Sequence, residues 1–160
     1  MEMPETRLFE GKYFGVKRFD REGKTKIHML SAAAILIADY RLPSLDYQGL
    51  LTACLRLTGN IEQVYNLYRM MVFNFQIKNR DDHAKYFSFL FQDGNWKLSP
   101  AYDLLPSNGF NWFHTTTIAG QGEPKPSDIK KVADGIGLNK IRSKEIYEML
   151  EEKCHNLRIS

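Results

Sequence analysis

Five ionisable side chains, Arg80, Asp81, Asp82, His83 and Lys85, fall within six residues of the stretch Asn79-Arg-Asp-Asp-His-Ala-Lys85. Apolar runs precede and follow this stretch, so the charges sit in a loop between two buried elements. A second piece, Leu98-Ser-Pro-Ala-Tyr-Asp-Leu-Leu-Pro106, sets the single carboxylate of Asp103 between apolar neighbours and two prolines. An acid in such a setting costs free energy unless a cation, a metal or a donor pairs with it. Two acids held apart by a short hairpin suggest one base or orienter and one metal ligand.

The elements that position these groups follow from pattern. Ile61 to about Lys78 is the longest helix, with Val64, Leu67, Tyr68, Met71, Val72 and Phe75 at helical spacing. It is the central buried helix, and it delivers the chain to Asn79. Tyr86–Phe91 and Trp96–Leu98 flank Gln92-Asp-Gly-Asn95, a hairpin with Asp-Gly at the bend. Asp103 follows the returning strand. Upstream, Thr6–Arg18 reads as a first hairpin around Glu10-Gly-Lys12. Asp20–Lys24 is a turn, and Lys26–His28 a further short strand. Ser31 caps an alanine-rich helix to Ala38 that stops before Pro43. Ser44 or Asp46 caps a second helix bearing Leu50, Leu51, Cys54, Leu55 and Leu57, ended by Gly59-Asn60. Ser107–Lys125 is loop with short β pieces near Thr115–Ile118. Ser127 caps a helix closed by Gly137, and Ser143 to about Leu157 is a last amphipathic helix. The expectation is one domain over residues 1–160, α+β but mainly α, with two small β-hairpins.

Composition narrows the class. The chain has 160 residues, 43% of them hydrophobic and 12% aromatic, enough for one sizeable core and unlike a disordered chain. A net charge of +3 suits an anionic ligand but is too small to argue direct nucleic-acid binding. Cys54 and Cys154 both fall in helix-like stretches, so two reduced thiols are expected rather than a disulfide. The acidic N-terminus is no signal peptide, and no window is apolar enough to span a bilayer, so the cytoplasm is expected.

A helix, a charged loop with an acid, a hairpin and a second acid is the order found in the catalytic half of protein kinases. Phosphoryl transfer needs a carboxylate to orient the attacking hydroxyl and metal ions to neutralise phosphate charge. Asp82-His83-Ala84-Lys85, Phe87-Ser-Phe-Leu90, Pro100-Ala-Tyr-Asp103 and Lys17-Arg-Phe-Asp-Arg21 sharpen this. With them, the chain resembles the C-terminal lobe of the HipA family of serine/threonine kinases, the toxin halves of bacterial toxin–antitoxin pairs. The resemblance implies a kinase-like C-terminal lobe with ATP and Mg2+ as cofactors. It implies Asp81 as catalytic acid/base with His83 beside the phosphates, and Asp103 as a magnesium ligand. Lys17 and Phe19 would bond adenine through backbone groups and Asp20 would bind ribose, with His83 and Tyr102 completing the nucleotide-binding set. It also implies a protein substrate and a HipB-like DNA-binding antitoxin through which nucleic acid is met only indirectly.

Two departures qualify this. Tyr86 stands where the family places a metal-binding Asn, and a neutral phenol is a poor magnesium ligand. No glycine-rich phosphate loop or strand lysine precedes residue 7. The isolated chain is therefore expected to lack kinase activity. The alternative is a non-catalytic module, a pseudokinase or split kinase, that binds an antitoxin or a separate N-lobe chain through an apolar patch near Phe14, Val16 and Phe19. A third reading, a metal-dependent hydrolase on Asp81, Asp82, His83 and Asp103, needs converging carboxylates. Among the single residues, Asp82 reads as a solvated or loop-bracing acid, and His83 as a loop brace, a phosphate contact or both. Lys85 reads as a surface or substrate-facing charge. Asp20 binds ribose or pairs with Arg18 or Arg21, and His28, His114 and His155 serve surface or local hydrogen-bonding roles.

Overall fold

In the computed structural model, which describes residues 1–37, 45–109 and 111–156, the chain opens mostly in strands and closes in helices. Strands β1 (Thr6–Phe9) and β2 (Tyr13–Val16) form the expected hairpin, with Thr6 opposite Val16 and Phe9 opposite Tyr13. This ribbon stands off the core. Leu8, Phe9, Tyr13, Phe14 and Val16 are all exposed, Phe14 to 72%. Strands β3 (Arg21–Glu22) and β4 (Thr25–Lys26) pair across the turn read near residue 23. Strand β5 (His28–Ser31) then leads into α1 (Ala32–Ile35), where the Ser31 hydroxyl accepts the N–H of Ala34 at 3.3 Å. The alanine-rich helix is shorter than expected. Ala32 and Ala33 are buried but Ile37 is 92% exposed, so no apolar face continues the helix. Ala38, Pro43 and Ser44 lie outside the described residues.

After β6 (Leu45–Asp46), α2 (Tyr47–Thr58) is capped by Asp46, whose carboxylate accepts the N–H of Gln48 at 2.8 Å. Gly59 ends it in the left-handed region, and Asn60 caps α3 (Ile61–Ile77) by accepting the N–H of Glu62 at 2.9 Å. Val64, Leu67, Tyr68, Met71 and Val72 are buried as their spacing requires. A 3₁₀ turn, Ala84–Tyr86, precedes strands β7 (Ser88–Gln92) and β8 (Asn95–Leu98). Asp93 and Gly94 have φ of 52° and 77°, the positive pair that a type I′ hairpin turn needs. The sheet has a third strand that periodicity did not reveal: β5 pairs with the free edge of β7. Strand β9 (Thr116–Thr117), within the expected β region, pairs in parallel with β6.

Helix α4 (Pro126–Gly135) begins ahead of Ser127, because Pro126 presets φ at the first position and Asp128 accepts the N–H of Lys125 at 2.9 Å. Helix α5 (Lys140–Asn156) likewise begins ahead of Ser143, on the Asn139 side chain, which accepts the N–H groups of Ile141 and Arg142. Leu157 lies outside the described residues. Helix α3 packs against both α2 and α5, and one buried cluster joins these helices to β7, β8 and α4. Both cysteines are free thiols, and burial pushes that of Cys54 up to about 12. Among the described residues no helix is long and apolar enough to cross a membrane.

Candidate active site

The C-terminus of α3 sets the geometry. Asn74 falls on its buried face, three residues after Met71, and its amide donates to the Tyr47 hydroxyl at 3.0 Å. The Asn79 amide donates to Asn74 Oδ1 at 3.1 Å and to the backbone carbonyl of Asp103 at 3.2 Å. A buried relay of two asparagines thus ties the charged loop to the second acid, 24 residues later. The backbone repeats the tie. Arg80 N–H donates to the carbonyl of Ser107, and Ser107 N–H to that of Lys78, both at 3.1 Å.

Asp82 is the loop's anchor. It is 1% exposed, so it braces the loop and is not solvated. Oδ2 accepts from Tyr47 at 3.0 Å and lies 2.8 Å from His114 Nδ1, while Oδ1 accepts the N–H of Thr116 at 3.1 Å. The Thr116 hydroxyl returns a bond to the Asp82 carbonyl. His114 is buried in this local hydrogen-bonding role. Burial and the Asp82 charge together push the Tyr47 phenol far above its ordinary range. With Asp82 facing inward, the four-residue metal grouping of the hydrolase reading does not assemble. Among the described residues no three His, Cys, Asp or Glu side chains gather around a common point.

Asp81 and Asp103 are instead exposed. Asp103 does not fill the apolar setting that its neighbours implied. It stands at the surface with φ of 56°, while Leu104 behind it packs on the core. Tyr86 lies near enough to both acids for the charges of Asp103 and Asp81 to bear on its phenol. Burial, then those two charges, push the phenol above its ordinary value. His83 caps the 3₁₀ turn, with Nδ1 accepting the N–H of Lys85 at 3.2 Å. Lys85 is at the surface.

A chain of tilted and edge-on ring contacts runs from Phe19 to the charged loop. Phe19 lies 5.4 Å from Tyr102, Tyr102 lies 6.3 Å from Tyr86, and Tyr86 lies 6.3 Å from His83, centroid to centroid. The Tyr102 hydroxyl is held by Ser88 at 2.7 Å and donates to the Lys85 carbonyl at 2.8 Å. The Lys17 N–H is taken by the Glu5 carbonyl at 2.8 Å. Asp20 is buried and pairs with both arginines. Arg18 donates to its two oxygens at 2.7 and 2.6 Å, and Arg21 to Oδ2 at 2.7 Å. These bonds, Arg18's foremost, hold its carboxyl below the ordinary value.

The residues fit a magnesium–nucleotide in part. Two exposed carboxylates suit a hard cation that keeps several waters, but Tyr86 between them in sequence offers only a neutral phenol. Sequence reading missed the supporting shell of Asn74, Asn79, Tyr47 and Thr116. Asn74 had left a signal, a polar residue in register with an apolar helical stripe. The pairing of His114 with Asp82 had left none, since nothing local links positions 32 residues apart.

Comparison with known proteins places the chain in a class. The family model for the HipA-like C-terminal domain matches residues 1–157, so the chain belongs to the HipA-like C-terminal domain family. Its fold is that of HipA of the Shewanella oneidensis MR-1 toxin–antitoxin system, solved with HipB and operator DNA, at a TM-score of 0.79 and 17% identity. That match covers 96% of this chain and 43% of the HipA chain. A Sinorhizobium fredii protein named "Putative kinase Y4dM" is 31% identical over 98 residues, covering 59% of this chain and 24% of the relative. The chain thus spans about a quarter to under half the length of these two proteins.

Proposed function

We propose that this domain is the catalytic-loop half of a HipA-like serine/threonine protein kinase, with Asp81 and Asp103 facing the phosphates of Mg2+–ATP. The observation that supports the reading is the buried Asn79 amide, which donates to the Asp103 carbonyl at 3.2 Å and so ties the second acid's backbone to the start of the loop that bears Asp81. Asp81 would orient a substrate hydroxyl and take its proton, with His83 beside the phosphates. Asp103 would hold a cation, which supplies charge neutralisation at the transferring phosphoryl group. Phe19 and Tyr102 would flank adenine with Lys17 offering its backbone carbonyl, since its N–H is bonded to Glu5, and Asp20 would reach the ribose. The substrate would be a protein serine or threonine.

A HipA-like fold also supports a HipB-like antitoxin as partner, with DNA met only through it. The exposed apolar ribbon β1–β2 favours a second, compatible reading. A partner lobe or chain docks there, and the 160 residues alone form a binding module. Half a cleft neither excludes water nor orients phosphates, so this chain alone should not turn over.

Incubation with γ-labelled ATP and Mg2+ tests this. The purified 160-residue chain should incorporate no label, and robust autophosphorylation would overturn the half-site reading. In a longer polypeptide that joins this domain to a phosphate-binding half, Asp81→Asn should lower transfer by about 10²–10⁴-fold.

A further inference from the structure

A recess of about 410 Å3 opens where α3 ends, with Lys78, Arg80, Ser107, Asn108 and Cys154 in its wall. Among the described residues that line it, none is an aspartate or glutamate. The fold fixes both cations by their backbones. Lys78 caps α3 in the left-handed region, with φ of 56°, and its carbonyl takes the Ser107 N–H at 3.1 Å. Arg80 gives its N–H to Ser107, and its carbonyl accepts the N–H and the hydroxyl of Thr115 at 3.0 and 3.1 Å. Among the described residues no acid forms an ion pair with either side chain. Two full positive charges outweigh the roughly half negative charge that a helix C-terminus brings.

Arg80 also joins the recess to exposed apolar surface. Its guanidinium lies 5.9 Å from the centre of the Trp112 ring, a cation–π contact that uses none of its N–H donors. Trp112 is 63% exposed and has φ of 66°, a left-handed conformation that a bulky residue adopts only under strain. The chain thus holds a tryptophan out in solvent at a backbone cost. Leu105, exposed as well, precedes Pro106 of the recess wall.

We propose that this recess and Trp112 form a docking site for an acidic segment of a partner protein, its carboxylates taken by Lys78 and Arg80 and a neighbouring apolar side chain laid against Trp112 and Leu105. Charge complementarity selects this occupant. Every charged group in the wall is a cation, and the Ser107 hydroxyl and Asn108 amide can donate to carboxylate oxygens. An arginine beside an exposed tryptophan is the composition of an interface anchor. A nucleic-acid strand fits less well, because it needs a row of cations and several stacking rings. Here two cations accompany Trp112, while Phe113 packs along Gly122. The docking site does not depend on phosphoryl transfer by the domain.

The test is fluorescence anisotropy of a labelled peptide of alternating Glu and Phe, titrated with the whole chain at low salt. The same peptide with Lys for every Glu, and an oligothymidylate of similar length, are run beside it. The acidic peptide should bind about tenfold or more tightly than its lysine counterpart, and more tightly than oligothymidylate. Lys78→Glu and Trp112→Ala change exposed side chains, and circular dichroism should show the fold intact. Each should weaken the acidic peptide by about tenfold. Lys130→Glu on α4 alters net charge equally at another exposed lysine and should leave binding within about twofold of wild type. Equal affinity for the two peptides, no binding of the acidic one, or binding that survives both Lys78→Glu and Trp112→Ala would refute the docking site. Tighter binding of oligothymidylate, lost in the same variants, would make this a nucleic-acid surface and overturn the peptide assignment.

Discussion

Two aspartates stand side by side at positions 81 and 82, and the fold uses them in opposite ways. Asp81 is exposed, whereas Asp82 is buried with Tyr47, His114 and Thr116 around its carboxylate. Asp82→Ala should destabilise the domain by about 3–5 kcal/mol in urea unfolding, because it leaves several buried polar groups without their partner. Asp82→Asn keeps the shape and loses the charge, so it should cost less. An Asp82→Ala midpoint equal to that of wild type would show that the anchor is dispensable. Asp20 gives a second prediction with a defined sign. Its folded-state value lies below the ordinary 3.8, so its stabilisation is complete above the unfolded value and is lost as pH falls through 3.8 toward the folded one. Below about pH 4, Asp20→Asn should flatten the loss of stability seen in wild type. Arg18 is largely exposed, so the effect should be modest and should shrink in high salt.

Elements position these residues through close backbone approach. The 107–109 segment lies directly on Arg80, and a Cβ on Gly109 would sit 2.6 Å from Arg80 Cβ and 2.7 Å from the Phe113 carbonyl oxygen. Gly109 also has φ of 60°, so Gly109→Ala meets both strain and a clash. It should cost on the order of 2–3 kcal/mol and shift the amide resonances of Arg80 and Asp81, while Gly94→Ala at the open turn should leave those resonances unmoved. The β1–β2 ribbon behaves differently. Its apolar side chains face solvent, so Phe14→Ser should change stability by about 0.5 kcal/mol or less. If the ribbon is a docking edge, the same substitution should reduce self-association or partner binding in size-exclusion chromatography.

At the scale of the molecule, the legible parts were those with local signals. The α3 stripe, the Asp93-Gly94 turn, the Gly59 stop and the motifs around Asp81 and Asp103 each have a physical cause within a few residues. What stayed hidden depends on distant pairings: β5 joining β7, β6 meeting β9, and His114 reaching Asp82. Helix starts were misjudged where proline geometry at Pro126 and an asparagine cap at Asn139 outweighed the nearer serines. The short α1 shows that alanine propensity does not extend a helix without an apolar face to bury. The exposure of Asp103 was missed because its flanks were read as surroundings: Ala101 and Leu104 turn inward, while Leu105 is 66% exposed and Asp103 follows it outward.

The central proposal is that Asp81 and Asp103 act together on a nucleotide-borne cation. Paramagnetic broadening by Mn2+–ATP, recorded on the amide resonances of the whole chain, tests it most directly. Weak binding is enough for this measurement. The account predicts broadening centred on residues 81–86 and 103, spreading to Phe19, and lost in Asp103→Asn. Broadening centred elsewhere, or unchanged in Asp103→Asn, would contradict it.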